Sequence, residues 1–309
     1  MIKILVIGDL HGRKPRIHFK DFDCIVQVGD VCDDREIGKI YKALFKKDNE
    51  LSYDEYVDKF VGEKKLEQME KRSLKRGNEI LKYLDSFGKP VFFIPGNWDQ
   101  SYGFSRIKKR SESIYSHLKM FYDFYLGDKT NSKLVRGVKN LIDCPYQLHE
   151  KFGINFIGYG LVSKYESLTV GKKKLSKEVS KKEYQKLKNV HDKILKKIGF
   201  IFKKRNKKQI TIFITHNVPY KTKLDVCKQK GSYAYKKHLG STIARKMCLK
   251  YKPLLCIGGH IHEGCGKDKL GKTTLINAGF GKDSNILIDL DEKKGKIRKI
   301  EFYKGYKKQ

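Results

Sequence analysis

The chain has 309 residues, of which 39% are hydrophobic and 12% are aromatic. This composition supplies a large folded core and excludes an intrinsically disordered protein. Lysine and arginine total 68 against 35 acidic residues, which gives a net charge of +33. Such a charge favours polyanionic partners, namely nucleic acid, nucleotides or anionic membrane surfaces. A lysine bias shared by the whole proteome would explain the charge equally well.

The seven cysteines show no disulfide-like spacing, and Cys24 and Cys256 lie inside apolar runs typical of buried residues. The first apolar stretch is too short for a secretion signal and has no cleavage site. The sequence has no apolar run of about 18 residues that could cross a membrane. These features predict a reduced, cytoplasmic protein with no membrane partner.

In chain order, short apolar runs that end in polar residues predict buried strands. The first five are IKILVIGD, CIVQVGD, PVFFIPGN, TIFITHN and PLLCIGGHIH. The carboxyl ends of such strands gather at one edge of an open sheet, where α/β proteins bind ligands. Near the end of the chain, TTLINAG, SNILIDLD and KIRKIEFYK predict three consecutive antiparallel strands.

Apolar residues at helical spacing lie between these runs and predict helices around residues 53–61, 80–84, 114–125, 187–198 and 241–247. No linker or internal repeat divides the chain. It is therefore predicted to form one domain over residues 1–309, with helical insertions at about 36–87, 100–135 and 164–208. The last insertion is dense in lysine. It is either a solvated helical segment or a basic arm that grips a phosphate backbone.

The predicted strands end in side chains that carry carboxylate, amide or imidazole donors. These residues are Asp9, His11, Asp30, Asn97, His216, His260 and His262. A single histidine at such a position would usually be structural. Gathering so many ionisable groups without a cation would be costly, and the donor set suits Mn, Fe or Zn rather than a cysteine-rich zinc site. The pattern therefore predicts a metal centre.

The segments GDLHG, GDVCD, GNWD, THN and GGHIH resemble, in order and rough spacing, the motifs of calcineurin-like metallophosphoesterases. They span residues 8–262, and INAG at 276–279 is similar to the Asn-x-Gly segment that follows in many members. PLLCIGGHIHEG is especially similar to the bacterial and archaeal branch that contains cyclic-nucleotide phosphodiesterases and small phosphatases. The resemblance implies an α/β (α+β) fold, a four-layer αββα sandwich of two mixed β-sheets flanked by helices.

The resemblance also implies two divalent metal ions, here Mn, Fe or Zn, and a role for each donor. Asp9 and His11 would bind the first metal, and Asp30 would bridge both metals. Asn97 would bind the second metal and the phosphate of the substrate. His216 would bind the second metal. A bridging carboxylate can hold two cations about 3.5–4 Å apart despite their repulsion.

His260 would bind the second metal and His262 the first. The residues implied to be catalytic are His11, Asp30 and Asn97. The implied reaction is hydrolysis of a phosphoester by a hydroxide that bridges the metals, while the cations offset charge on the phosphoryl oxygens.

The third motif departs from the family pattern, because it has GNWD where members usually have GNHD. The usual histidine stabilises the transition state or protonates the leaving oxygen, and Trp98 cannot titrate in its place. Trp98 is either a packing residue or a substrate-binding platform that stacks on a base or an aromatic leaving group. Asp99 is expected to lose its usual partner. His18, His117 and His191 are candidate replacement acids.

Other positions leave alternatives open. GDVCDDRE lacks the complete Gly-Asp-x-x-Asp-Arg-Gly of protein Ser/Thr phosphatases, which disfavours phosphoprotein phosphatase activity. Cys32 and Cys265 lie near ligand positions and are either soft metal ligands or bystander thiols. Ser241 is either an ordinary helix cap or part of an anion site with the basic residues 236–238.

The favoured function is a metal-dependent phosphoester hydrolase, either a phosphodiesterase or a phosphatase, with a slight preference for diesters. A nuclease or other nucleic-acid phosphoesterase of the same fold is the second hypothesis, and the positive charge supports it. A catalytically weak metal-binding scaffold is the third, because Trp98 replaces the motif histidine. The expected partner is a phosphoester substrate, which would be a nucleotide or nucleic acid if the charge is functional.

Overall fold

The computed structural model describes residues 1–44, 51–99, 134–160, 181–231 and 234–304. In these residues two six-stranded mixed β-sheets pack face to face, and helices cover their outer faces. This arrangement is the four-layer αββα sandwich that was predicted, and the fold class is confirmed. The proposed boundaries of a single domain and its insertions stay a prediction.

The first sheet contains the strands that lead to the first three sequence motifs. Its strands are β1 (Ile2–Ile7), β2 (Cys24–Gln27), β3 (Val91–Phe93), β4 (Leu141–Asp143), β11 (Ser284–Asp291) and β12 (Lys296–Lys304). They are arranged in the order β12-β11-β1-β2-β3-β4. Strands β1 to β4 are parallel to one another, so their carboxyl ends lie at the same edge.

The second sheet contains the strands that lead to the last two motifs. Its strands are β5 (Leu148–Lys151), β6 (Ile154–Tyr159), β7 (Ile210–Asn217), β8 (Leu255–Gly259), β9 (Gly266–Leu270) and β10 (Thr273–Asn277). The order is β5-β6-β7-β8-β10-β9. One part of the strand prediction is wrong: β10 pairs in parallel with β8 in this sheet and is not consecutive with β11 and β12.

The described helices are α1 (Ile37–Leu44), α2 (Tyr53–Phe60), α3 (Glu63–Asp85), α4 (Lys181–Lys204) and α5 (Thr242–Tyr251). A capping box formed by Ser52 and Glu55 begins α2. The Ser241 side chain accepts from the N–H of Ala244 and begins α5 as an ordinary N-cap. The helix predicted around residues 114–125 lies outside the described residues. None of the described helices is both long and apolar enough to cross a bilayer.

Alternation along the strands divides the core into layers, because successive side chains of a strand point to opposite faces. Ile4 and Val6 of β1 point between the sheets, where the rings of Phe92 and Phe156 stack with centroids 3.8 Å apart. Leu5 and its neighbours on the other face pack against α3. Burial of each such side chain contributes about 1.5–3 kcal/mol to the stability of the folded state. The packed sheets therefore form a stable base for the loops at their edge.

Candidate metal centre

The candidate site lies where loops leave the carboxyl ends of five strands. Asp9 and His11 follow β1, Asp30 follows β2, Asn97 follows β3, His216 lies near the end of β7, and His260 and His262 follow β8. The structure brings all seven predicted residues together from both sheets. Their side chains form two adjoining clusters.

The first cluster consists of Asp9, His11 and His262, whose potential ligand atoms all lie within 4.8 Å of one another. Nε2 of His262 is 3.0 Å from Oδ2 of Asp9, and Nε2 of His11 is 3.2 Å from Nε2 of His262. Asp9 is fully buried. Two imidazole nitrogens and a carboxylate therefore converge on one small volume.

The second cluster consists of Asp30, His216 and His260, with ligand atoms equally close together. Nε2 of His216 is 3.4 Å from Oδ2 of Asp30 and 3.0 Å from Oδ1 of Asn97. The same oxygen of Asp30 is 3.7 Å from Nε2 of His11 in the first cluster. Asp30 therefore lies between the two clusters, where a carboxylate shared by two cations must lie.

Three residues of the site adopt left-handed backbone conformations that non-glycine residues rarely use. The φ angles are 46° for His11, 54° for Asp30 and 67° for His260. Each costs on the order of 1–3 kcal/mol and persists only where the surroundings enforce it. Here the N–H of His11 donates to the carbonyl of Asp30 at 2.7 Å, and the N–H of His260 donates to Oδ2 of Asp9 at 2.8 Å. Direct bonds between the loops thus fix the ligand geometry.

Two glycines permit the carboxylates to approach the backbone closely. A Cβ atom on Gly96 would lie 2.2 Å from Oδ1 of Asp30, and one on Gly259 would lie 2.3 Å from Oδ1 of Asp9. Neither distance can accommodate a side chain without moving the carboxylate. Gly96 of the third motif and Gly259 of the fifth are therefore required because the site has no room for a larger side chain at either position.

Asp99 has a structural role that the sequence interpretation missed. Its buried carboxylate accepts hydrogen bonds from the backbone N–H groups of Asp30, Val31, Cys32 and Gly96, at 2.7, 2.9, 2.9 and 2.8 Å. Burial and the charge of Asp30 raise the pKa of Asp99 to about 6, while the N–H donors act against this shift. Asp99 thus has backbone N–H partners in place of the usual histidine, and it ties the loop after β2 to the loop after β3.

The crowding of acids and histidines shifts their pKa values in opposite directions. Burial lowers the pKa of His216, but the charges and hydrogen bonding of Asp30 and the charge of Asp9 outweigh it and raise the pKa to about 10. Burial and the charge on His216 lower the pKa of His260 to about 4. Although burial opposes it, His216 holds the pKa of Asp30 below its ordinary value. The negative charge of the buried acids is what raises the pKa of His216, and a bound cation would offset the same charge.

The residues present fit two divalent cations. Oδ1 of Asp9 is buried and has no hydrogen-bond partner among the described residues. An unsatisfied buried carboxylate oxygen is costly, and a directly bound cation would satisfy it. Carboxylate, amide and imidazole donors together suit Mn, Fe or Zn. In the described part of the chain, the potential metal-binding groups contain no cysteine, which favours bystander roles for Cys32 and Cys265.

Aromatic residues border the clusters on two sides. The half-buried ring of Trp98 lies 6.4 Å from the ring of His11 and meets Tyr41 of α1 edge-on at 5.6 Å. Its backbone N–H donates to Oδ1 of Asp30 at 2.8 Å. Phe280 lies 6.2 Å from the ring of His11. Trp98 thus both packs against a helix and borders the clusters, so the two sequence interpretations are compatible.

The structure places two of the candidate replacement acids in other surroundings. The ring of His18 stacks on Tyr303 of β12, with centroids 3.6 Å apart. His191 is buried on α4, where its Nε2 lies 3.3 Å from Oγ1 of Thr242. Neither contact involves the predicted ligands. His117 lies outside the described residues.

Sequence reasoning also missed Asp34, which lies beside a predicted ligand. Its Oδ2 is 3.0 Å from Nδ1 of His11. The only signal was the third acid of GDVCDDRE, at a position where this segment departs from the motif of protein Ser/Thr phosphatases. The sequence analysis selected polar side chains close to the end of a predicted strand. Asp34 lies further along the loop after β2, so this criterion did not select it.

Comparisons with known proteins agree with this geometry. The sequence profile of the calcineurin-like phosphoesterases matches residues 2–264. The chain therefore belongs to the calcineurin-like phosphoesterase family, a family of metal-dependent hydrolases. No curated protein sequence matches the chain.

Solved structures are similar over nearly the whole chain. One crystal structure is 18% identical with a TM-score of 0.56, covers 97% of this chain and 98% of its own, and supports the fold. The protein TT1561 of Thermus thermophilus is 14% identical with a TM-score of 0.48, over 98% of each chain. The phosphopantetheinyl hydrolase PptH from Mycobacterium tuberculosis is 13% identical with a TM-score of 0.46, over 90% of each chain.

Proposed function

We propose that this protein hydrolyses phosphoesters with two divalent metal ions, as a phosphodiesterase or a phosphatase. The observation that carries the proposal is the position of Asp30. Asp30 belongs to the second cluster, and its Oδ2 lies 3.4 Å from Nε2 of His216 in that cluster and 3.7 Å from Nε2 of His11 in the first. A shared carboxylate flanked by two ligand sets is the arrangement that two-metal hydrolysis requires.

The seven donors divide between the two cations. Asp9, His11 and His262 would hold the first, His216, His260 and Asn97 the second, and Asp30 both. Two cations in this position supply an acidified water and offset the charge of the phosphoryl oxygens. The donor set fits Mn, Fe or Zn.

The chain's own residues would orient the substrate. Oδ1 of Asn97 faces His216, and its amide N–H groups are suited to donate to a phosphate oxygen. Asp99 fixes the loop that carries Asn97, so this donor is positioned before substrate binds. Trp98 would provide a flat apolar wall for a planar leaving group.

The lack of a titratable side chain at position 98 affects which esters react well. An indole cannot protonate a leaving oxygen, so esters with acidic leaving groups should be hydrolysed best. Aryl esters and some phosphodiesters fit this requirement. We therefore favour phosphodiesterase activity slightly over phosphatase activity.

Turnover of p-nitrophenyl phosphate and bis-p-nitrophenyl phosphate with added Mn²⁺ tests the proposal. The Asp30→Ala variant is the control, because it removes the shared carboxylate and should lower turnover on the order of 100-fold or more. Hydrolysis well above this control is expected. Equal rates for the two proteins would contradict the proposed activity.

A nucleic-acid phosphoesterase is the second candidate, and the charge of +33 together with the lysine-rich α4 favours it. If the substrate backbone contacts several lysines, its binding should weaken steeply with salt because counterions are released. Binding of an RNA or DNA oligonucleotide, measured from about 50 to 200 mM salt, distinguishes the candidates. An oligonucleotide affinity that barely changes over this range of salt concentration would contradict the proposal of a nucleic-acid substrate.

A further inference from the structure

The two nitrogens of the His11 ring face groups of different kinds. Nε2 faces His262 at 3.2 Å, inside the first cluster. Nδ1 points away from the cluster and lies 3.0 Å from Oδ2 of Asp34. His11 is 5% exposed and the side chain of Asp34 is 28% exposed, so water screens this contact only in part. Asp34 therefore contacts a predicted ligand on the side remote from the metal.

Backbone bonding between two loops creates this contact. The N–H groups of Leu10 and His11 donate to the carbonyl of Asp30, and the N–H of Gly12 donates to the carbonyl of Val31. A Cβ atom on Gly12 would lie 2.6 Å from Cβ of Asp33, so only glycine permits the loops to pack this closely. The following residue of the second loop, residue 34, is consequently held beside His11.

Arg13 helps to hold Asp34 in place. Its Nη1 donates to the carbonyl of His11 at 2.9 Å and lies 3.7 Å from Oδ1 of Asp34. The guanidinium therefore faces the oxygen that does not face the imidazole. This contact holds the carboxylate so that its other oxygen is directed at His11.

The corresponding histidine of the second cluster has a weaker partner. Nδ1 of His216 lies 2.8 Å from the backbone carbonyl of Val28. A carbonyl fixes the tautomer of an imidazole but carries no net charge, whereas a carboxylate also makes the imidazole a stronger electron donor. The two clusters thus differ in the group behind the metal-facing histidine.

We propose that Asp34 is a positioning residue that gives the Asp9–His11–His262 cluster its affinity for a divalent ion. Its carboxylate keeps the proton of His11 on Nδ1 and directs the lone pair of Nε2 into the cluster. The inference rests on the proposed function, since it requires this cluster to bind a metal. Loss of Asp34 should therefore weaken one of the two metal sites selectively.

The adjacent acid provides a matched control. Asp33 stands one position earlier in the same motif, and its carboxylate pairs with Arg35 and not with His11. Asp34→Asn and Asp33→Asn make the same isosteric change one residue apart. Metal-stripped wild type and both variants are titrated with Zn²⁺ in a calorimeter, and thermal unfolding of each metal-free protein reports whether it is folded.

The wild type and Asp33→Asn are expected to bind two ions with the same affinities. Asp34→Asn should keep one site unchanged and bind the other ion about 10- to 100-fold more weakly. Asp34→Glu, which restores the carboxylate, should recover part of the loss. Two unchanged sites in a folded Asp34→Asn variant would overturn the inference and leave the proposed function intact. A wild type that binds no ion would contradict the proposed function itself.

A second measurement on the wild type does not depend on the variant folding. In zinc-loaded protein with ¹⁵N-labelled histidine, the proton of His11 should reside on Nδ1 and Nε2 should show the shift of a metal-bound nitrogen. A resonance assigned to His11 with its proton on Nε2 would overturn the proposal.

Discussion

Hydrogen bonds from backbone N–H groups hold the residues of the candidate metal centre in place. His11, Asp30 and His260 keep left-handed conformations because neighbouring loops bond to them directly. The sequence identified the seven side chains that the structure brings together, since each lies at or just beyond the end of an apolar strand. It did not predict the contacts of Asp34 and Asp99, because most of their partners are N–H groups and a ring nitrogen from other loops.

Gly259→Ala is expected to impair the centre directly. The new Cβ atom would lie 2.3 Å from Oδ1 of Asp9, so the carboxylate must move by about an ångström, and turnover should fall by about 100-fold. Gly38→Ala is the control, because nothing lies within 4 Å of that Cβ and alanine should stabilise α1 by about 0.5–1 kcal/mol. Initial rates and urea unfolding of both variants check this. A fully active Gly259→Ala protein would disprove the steric argument.

Asp99→Asn tests the carboxylate that joins two loops. An amide offers one acceptor oxygen where four N–H groups now donate, so the variant should lose roughly 3 kcal/mol or more of unfolding free energy. Asp21→Asn removes an exposed acid that pairs with Lys3 at the surface, and it should leave the stability nearly unchanged. Urea unfolding of both variants provides the comparison. Equal stabilities would mean that the buried network contributes little.

Among the elements, the sequence predicted the strands that lead to the five motifs and three strands near the end of the chain. It assigned β10 to the wrong neighbours, because adjacency in the chain suggested a hairpin with β11 while the structure pairs it with β8. Strand pairing over long sequence distances depends on which faces are buried, and a local pattern does not contain that information. The strands β4, β5, β6 and β9 were missed. β4, β5 and β9 are short and only partly buried, whereas β6 is buried along its whole length and Asn155 interrupts its apolar run.

Phe156→Ala tests the packing between the two sheets. Its ring is fully buried and stacks on Phe92 of the opposite sheet, so removing it should leave a cavity and cost about 3–5 kcal/mol. Phe200→Ala is the control on α4, where the ring is 58% exposed, and it should cost less than about 1 kcal/mol. Chemical denaturation of the two variants and the wild type measures the loss of unfolding free energy in each variant. Similar losses of unfolding free energy in the two variants would show that the stack of Phe92 and Phe156 contributes little to the packing of the two sheets.

On the scale of the whole molecule, the sandwich gathers loops from five strands of two sheets at one edge. Three of these strands belong to the first sheet and two to the second, so the centre forms only when the sheets pack together. The fold and the set of donors were both predictable from the order of the motifs. The contribution of the +33 charge depends on the partner, and composition alone does not identify that partner.

The metal content of the purified protein tests the two-metal centre most directly. Wild type and Asp30→Ala are stripped with a chelator, loaded with Mn²⁺ or Zn²⁺, desalted and measured by elemental analysis. Two ions per chain are expected for the wild type and fewer for the variant, because the shared carboxylate is gone. A folded wild type that retains no ion, or the same number as Asp30→Ala, would contradict the account.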